Sequence, residues 1–313
     1  WRVIGVDSMS DYYDVSLKKR RERMLLGNEN YRSVHQKLEI ENAMLNLCSD
    51  ERPDVVIHLA AQAGVRYSIE NPHSYLKSNI NGTFELLEAA RAFPPKHMLL
   101  ASTSSVYGAN DKMPYKEVDK TDYQMSFYAA SKKSTENMAH SYAHLFNIPI
   151  TVMRFFTVYG PWGRPDMALF KFTKAILNDD LIDVYNGGNL KRDFTYIDDV
   201  VQAIALLIDK APIHTKEPSQ NENNLSSPVA PFQVINIGNG KPEKLLDFIK
   251  AIEIATGISA NMNFTDMQAG DVLTTFSDCS LLENLPGFTP RTSILDGVSN
   301  FVDWYKEMDW ING

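Results

Sequence analysis

Two cysteines in 313 residues, Cys48 and Cys279, exclude a fold held by disulfides. Neither has the paired spacing of a thiolate metal site, so each reads as a buried thiol in a reducing compartment. No apolar run approaches the roughly twenty residues needed to span a bilayer. The opening Trp1-Arg2-Val3-Ile4 has none of the pattern of a signal peptide, and the location expected from these features is the cytoplasm. Positive charge is also scarce. There are 31 Lys and Arg against 39 Asp and Glu, a net charge of -8, which argues against nucleic-acid or membrane-surface binding because polyanions need a basic face. An anionic ligand must be met by local arginines. The histidines lack metal-ligand spacing, and no metal is expected.

The 44% hydrophobic content can bury a substantial core. Short β-branched runs at residues 3–7, 55–59, 97–102, 150–155 and 234–237 alternate with helical patterns. That alternation predicts an α/β fold with a doubly wound parallel sheet. Phe84, Leu87 and Ala90 stand at helical spacing within residues 81–93. Further helices are predicted over 131–146 and 197–209, and a surface loop rich in Ser, Asn and Pro over 215–231.

The start is unusual. Val3-Ile4-Gly5-Val6-Asp7 is an apolar strand ending in an acid. In a dinucleotide-binding fold such an acid stands about twenty residues after a Gly-rich turn and binds the adenosine ribose. The turn and an initiator methionine are both absent, so the expectation is a sequence that begins at the second strand, without the first strand and the phosphate loop.

Tyr128-Ala129-Ala130-Ser131-Lys132 carries the chemistry. Lys132 follows Tyr128 by one helical turn, so the phenol and the ammonium share a face. A phenol titrates near pH ~10, and a neighbouring cation lowers that value toward working pH. Tyr128 is thus a candidate base, Lys132 a candidate donor to a ribose hydroxyl, and Thr103 a second partner for the substrate oxygen. By themselves these residues also fit an ordinary amphipathic helix.

Several separated motifs accompany them: residues 58–68 (His-Leu-Ala-Ala-Gln-Ala-Gly-Val-Arg-Tyr-Ser), 79–83 (Asn-Ile-Asn-Gly-Thr), 102–108, 154–161 (Arg-Phe-Phe-Thr-Val-Tyr-Gly-Pro) and 191–199. With them the chain resembles the extended short-chain dehydrogenase/reductase superfamily over essentially its whole length, and most closely the UDP-glucuronate 4-epimerases. The resemblance implies a Rossmann-type domain (1–158, 193–209 and 233–239), a smaller mixed α/β nucleotide-sugar domain (159–192 and 240–313), a surface loop (210–232) and a homodimer. It implies NAD as cofactor, a UDP-sugar substrate and catalysis by Thr103, Tyr128 and Lys132. It places Asp7, Glu39, Ile40, Leu59, Ala60, Ala61, Arg66, Asn79 and Phe155 around NAD. Glu39 departs from the aspartate usual there. It further implies Arg192 on the diphosphate, Asp271 on the uridine ribose, Lys171, Phe172 and Tyr185 near uracil, and Arg164 among the substrate contacts.

The residues after Thr103 bear on the reaction. Related 4,6-dehydratases place an Asp-Glu pair there and xylose-forming decarboxylases a Glu before Val-Tyr-Gly, whereas this chain has Ser104 and Ser105. Hydroxyls are poor general acids and bases at neutral pH, which leaves epimerisation through a 4-keto sugar. Thr157 stands where galactose-type epimerases have an amide, and Ser104, Ser105 and Thr157 can donate to a C5 carboxylate. Another NAD-dependent epimerase or decarboxylase, and a non-catalytic product serving only in interaction, remain as alternatives.

Overall fold

The computed structural model describes residues 1–214, 226–267 and 272–308. Two regular β-layers organise the first part of the chain. Strands β3 (Val55–His58), β4 (His97–Thr103), β5 (Ile150–Phe155) and β9 (Phe232–Ile237) form a parallel sheet in the order β3-β4-β5-β9. Strands β1 (Val3–Asp7) and β2 (Tyr31–His35) form a separate parallel pair. Among the described residues, no strand pairs with the free edge of β1 or of β3.

The strand pattern explains the double winding. Met98 and Leu100 turn to one face of β4 and Leu99 to the other, the period of two that a strand imposes. One face packs on α2 (Ala43–Glu51), α5 (Gly82–Ala92) and α6 (Phe127–Phe146), through Cys48, Leu87 and Ala139 among others. The opposite face packs on α8 (Ile197–Leu207) and α10 (Ser280–Asn284), through Val200, Leu207 and Leu282. Both faces are covered, as a parallel sheet requires. Helix α1 (Val15–Leu26) follows β1, and its N-terminus is capped by Asp14, whose Oδ1 accepts from the Ser16 amide at 2.8 Å.

A second core lies among β6 (Thr157–Tyr159), β8 (Lys191–Tyr196), α7 (Ala168–Leu177), α9 (Leu245–Thr256) and α11 (Ile294–Glu307), with Phe194 stacked on Phe248 at 4.0 Å between centroids. Strand β8 is central there, pairing parallel with β6 and β12 (Thr274–Thr275) and antiparallel with β10 (Pro242–Lys244). Strands β7 (Leu181–Tyr185) and β11 (Asn261–Thr265) form a further parallel pair. This is the mixed α/β architecture expected beside the Rossmann-type sheet. Asp193 on β8 ties the two regions. Its buried carboxylate accepts from the amides of Asn239, Gly240 and Ser277 at 2.7, 3.0 and 3.0 Å and from the Ser277 hydroxyl at 2.7 Å.

Several local expectations are corrected. Phe84 is 43% exposed, so the buried stripe of α5 runs through Leu86, Leu87, Ala89 and Ala90 instead. Helix α6 begins at Phe127 because Ser126 caps it, its Oγ accepting from the Ala129 amide at 3.1 Å. Two short helices, α3 (Tyr67–Glu70) and α4 (Pro72–Tyr75), and a π-helical turn (Leu76–Asn81) precede α5. The expected surface loop lies outside the described residues over 215–225. Its end is described, and Ser226 bridges Gln233. Cys48 is buried, and burial pushes the half-buried Cys279 thiol up to about 12.

Gly297 sets how closely α11 approaches Tyr159. A methyl group there would run into Tyr159 Oη and lie 2.8 Å from Cε2 and Cζ. Helix propensity alone favours alanine by roughly 1 kcal/mol, whereas overpacking costs about 1–3 kcal/mol, so the clash decides the sign. Gly297→Ala is expected to lower unfolding free energy by roughly 1–2 kcal/mol in urea titration. Gly27→Ala, whose added carbon meets only the Met24 carbonyl at 3.5 Å, should stay within about 0.5 kcal/mol.

Candidate active site

The carboxyl ends of the parallel strands open onto two cavities, the position at which open α/β sheets bind ligands. The first is lined by Asp7, Ser8, Ser10, Tyr12, Lys18 and Glu39 on one side and by residues 59–63, Ser78 and Arg164 on the other. The second is lined by Ser104, Ser105, Tyr115, Ser126, Thr157, Arg192 and Thr275, with Val65, Gly108, Met125, Ala129 and Val272 between them. Gly108 is required at its edge. It holds φ +58°, and a side chain would lie 2.8 Å from the Tyr123 carbonyl carbon.

Asn79 locks the wall of the first cavity to α6. Its side-chain oxygen accepts from the Gln62 amide at 2.7 Å, and its nitrogen donates to the Gln62 carbonyl at 3.0 Å and to Ser131 Oγ at 2.9 Å. Ser131 Oγ in turn donates to the Tyr128 carbonyl at 2.8 Å. All of the amide's roles are fixed by these partners. Asn79 lies in the π-helical turn, a local widening of a helix that recurs at functional sites.

Tyr128 and Lys132 lie on α6 as their spacing predicts, with Thr103 at the end of β4. The Thr103 hydroxyl donates to Ser105 Oγ and accepts from the Ser105 amide, each at 3.2 Å, and its influence reaches the Tyr128 phenol. The expected electrostatics is corrected. Burial dominates and raises the phenol above its ordinary value, while Thr103 and Arg164 pull it down. Lys132 is not among these influences. Its own ammonium is 3% exposed, and burial lowers its pKa to about 8, opposed by the Glu136 carboxylate one helical turn away.

Behind Lys132, Glu136 accepts a two-pronged contact from Arg154, with Nε and Nη2 each at 2.9 Å, and a Ser102 hydroxyl at 2.6 Å. Burial would raise this carboxyl, but the Arg154 fork outweighs it and holds it below the ordinary range. His58 is buried at the end of β3 and bonded to Thr83 at 2.9 Å. Burial, then the Lys132 charge, lowers its pKa to about 3 and keeps it neutral.

Other predicted residues fall in several places. Glu39, Leu59, Ala60 and Ala61 line the first cavity with Asp7, while Ile40 is 51% exposed and outside the lining. Phe155 packs at the end of β5. Arg66 stands over the Tyr185 ring at 4.9 Å, which brings a residue expected near NAD onto one expected near uracil. Arg164 lines the first cavity and pairs with Asp166 at 3.1 Å. Lys171 is exposed on α7 and Phe172 packs into the second core, and neither lines a cavity. Asp271 lies outside the described residues. Sequence reasoning missed Ser126 and Thr275 in the second cavity, and the contact of Tyr12 Oη with Asp166 at 3.3 Å beside the first.

The donor set of the first cavity fits NAD. Asp7 supplies an acceptor at the end of β1, already oriented by the Met9 amide at 2.7 Å. Lys18 and Arg164 supply cations to the same lining. Thr103, Tyr128 and Lys132 line neither cavity themselves, but Ser104 and Ala129, which directly follow Thr103 and Tyr128, line the second.

Because Lys132 is held buried and charged, it costs stability. Its folded pKa of about 8 lies below the ordinary 10.5, so between these values the unfolded chain binds more protons and wild-type stability rises with pH. Lys132→Met is expected to raise unfolding free energy near pH 7 by roughly 1–3 kcal/mol. The gain should shrink between pH 8 and 10.5, as read by chemical denaturation across that window.

The NAD dependent epimerase/dehydratase family matches residues 1–218. The chain is 53% identical over 305 residues to "Protein CapI" of Staphylococcus aureus, covering 97% of this chain and 91% of that one. It is 50% identical over 307 residues to a "Probable UDP-glucuronate 4-epimerase" of Rhizobium meliloti, covering 97% and 90%. Among solved structures, UDP-glucuronic acid 4-epimerase from Bacillus cereus, in complex with UDP-glucuronic acid and NAD, superposes with a TM-score of 0.85 at 32% identity, covering 98% of this chain and 91% of that one. The chain belongs to the NAD dependent epimerase/dehydratase family, and its cofactor is NAD.

Proposed function

We propose that the protein is a UDP-glucuronate 4-epimerase, interconverting UDP-glucuronate and UDP-galacturonate. The observation that carries this reading is the lining of the second cavity. Ser104, Ser105, Ser126, Thr157 and Thr275 contribute aliphatic hydroxyls, Tyr115 a phenol and Arg192 a guanidinium, and among the described residues no Asp or Glu lines it. Such a wall donates hydrogen bonds and is matched by an anion. It offers neither the acid nor the base that dehydration would need at C5 and C6. The similarity to UDP-glucuronate 4-epimerases supports the same substrate class.

In this reading, bound NAD supplies a reversible hydride acceptor. Tyr128 accepts the C4 hydroxyl proton, Thr103 hydrogen-bonds the same oxygen, and Lys132 orients the cofactor ribose. Arg192 meets the diphosphate through a guanidinium fork. Ser104, Ser105 and Thr157 hold the C5 carboxylate. That last task matters because a 4-keto uronate is a β-keto acid prone to lose carbon dioxide, and the sugar must turn in the pocket before C4 is reduced on its other face.

Tyr128→Phe is expected to lower turnover by about 10²–10⁴-fold with NAD affinity retained, since it removes the proton acceptor and keeps the ring. Near-normal turnover would remove the base. Product profiles by mass spectrometry test the substrate. UDP-glucuronate should give UDP-galacturonate, and UDP-glucose should be a poor substrate because each unmatched buried donor costs roughly 1–3 kcal/mol. Thr157→Val should weaken uronate conversion and release some UDP-pentose. Equal efficiency on UDP-glucose, or pentose as the main wild-type product, would overturn the assignment.

A further inference from the structure

Two sets of contacts join segments that both line the first cavity. Tyr12 and Tyr13, from the β1–α1 connection, and Arg164, from the segment after β6, belong to that lining. Arg21 on α1 crosses between them. Its Nη1 donates to the Tyr13 hydroxyl at 2.8 Å, and its Nη2 donates to the carbonyls of Trp162 and Gly163, the latter at 3.3 Å. Its Nε is buried without a hydrogen-bond partner among the described residues, an unmet donor that the crossing tolerates. The second contact runs from Tyr12 Oη to Asp166 Oδ2 at 3.3 Å, and the same oxygen accepts from Arg164 Nη2 at 3.1 Å. Burial, then the Asp166 charge, raises the Tyr12 phenol above its ordinary value and keeps it the donor. The receiving segment is itself fixed. Trp162 holds a left-handed φ of +62°, uncommon for a bulky residue, and its ring packs on Trp304 of α11 at 5.3 Å between centroids. The strained turn presents two successive carbonyls to one guanidinium.

A 4-epimerase has to hold on to a cofactor that it has reduced. Once the C4 hydride has moved to NAD+ and the hydroxyl proton to Tyr128, the reaction is complete only if that hydride returns to the sugar. Escape at this stage would leave one NADH, one proton and one 4-keto sugar for each NAD+ and substrate consumed. We propose that Arg21 and the Tyr12–Asp166 contact form a clasp that retains the cofactor in the first cavity between the two hydride transfers. Arg21 and Asp166 stand outside the lining, so they are positioning residues that act through the segments they join. The role between hydride transfers rests on the epimerase reading, whereas the clasp itself rests only on NAD occupying the first cavity.

The test loads wild-type protein and Arg21→Met with NAD+, separates them by rapid gel filtration and follows the cofactor that leaves. Arg21→Met should release NAD+ at least about tenfold faster. Because Arg21 is not in the lining, that change reports the crossing and not a lost contact with the cofactor. Tyr12→Phe, which loses one hydroxyl and keeps its ring 4.8 Å from that of Tyr67, should release NAD+ about threefold faster. With UDP-glucuronate and excess NAD+, Arg21→Met should accumulate free NADH, read by its absorbance, in step with a 4-keto sugar, and the wild type should not. Release at the wild-type rate from the folded variants, with only a lower unfolding midpoint, would reduce the contacts to a structural role and overturn the clasp. Faster release without free NADH during turnover would overturn its role between the hydride transfers. A wild-type protein that leaves UDP-glucuronate unchanged would overturn the epimerase reading, and the release rates would still decide the clasp. Should Arg21→Met fail to fold, Tyr12→Phe carries the same measurement.

Discussion

The buried Glu136–Arg154 pair is the interaction on which the site depends. It fastens α6 to β5 with two contacts of 2.9 Å, both partners 3% exposed. Separating such a pair costs about 3–5 kcal/mol because the survivor is an unpaired charge in a poorly polarisable interior. The pair reaches further through polar contacts. Arg154 Nη1 donates to the Glu117 carbonyl at 3.2 Å, and its guanidinium covers the Tyr107 ring at 4.8 Å. Tyr107 Oη then donates to Asn236 on β9 at 2.6 Å. One ion pair thus joins three consecutive strands of the sheet to the helix that carries Tyr128 and Lys132.

The electrostatics of the two candidate catalytic side chains follow from that arrangement. Burial disfavours the charged form of both, raising the phenol and lowering the ammonium. Glu136 opposes the loss of the Lys132 proton, while Thr103 and Arg164 favour the Tyr128 phenolate. The environment therefore moves the two titrations apart, from ordinary values of 10.0 and 10.5, with the phenol rising and the ammonium falling to about 8. His58 takes no part, since burial and the Lys132 charge keep it neutral.

The two cavities divide their chemistry by the elements that build them. The first combines the Asp7 carboxylate at the end of β1 and the Lys18 cation of α1 with Arg164 and the residues that follow β3. The second is walled by hydroxyls drawn from the turn after β4, the cap of α6, β6 and β12. Asp193 holds the last of these regions against β8 and the loop after β9, so Arg192, its neighbour on the same strand, faces the cavity from a fixed position.

What the sequence by itself determined were features of short range. Strand alternation and buried β-branched runs identify β1, β3, β4 and β5 because a strand's period is local. The Tyr128–Lys132 relation follows from the rise of one helical turn, and Asp7 from its place at the end of a strand. Only the tertiary structure decided the rest. Phe84 reads like a core residue in the pattern of α5, yet its face meets no layer and stays exposed. Lys18 reads as one charge in a basic run, and only the fold of the β1–α1 connection turns it inward to Ser10 beside Asp7. Ser126 and Thr275 come from positions about 150 residues apart and share a wall because α6 and β12 are carried by different sheets. The balance of burial against charge at Tyr128 likewise depends on how much water the packed layers exclude, a quantity that no local spacing contains.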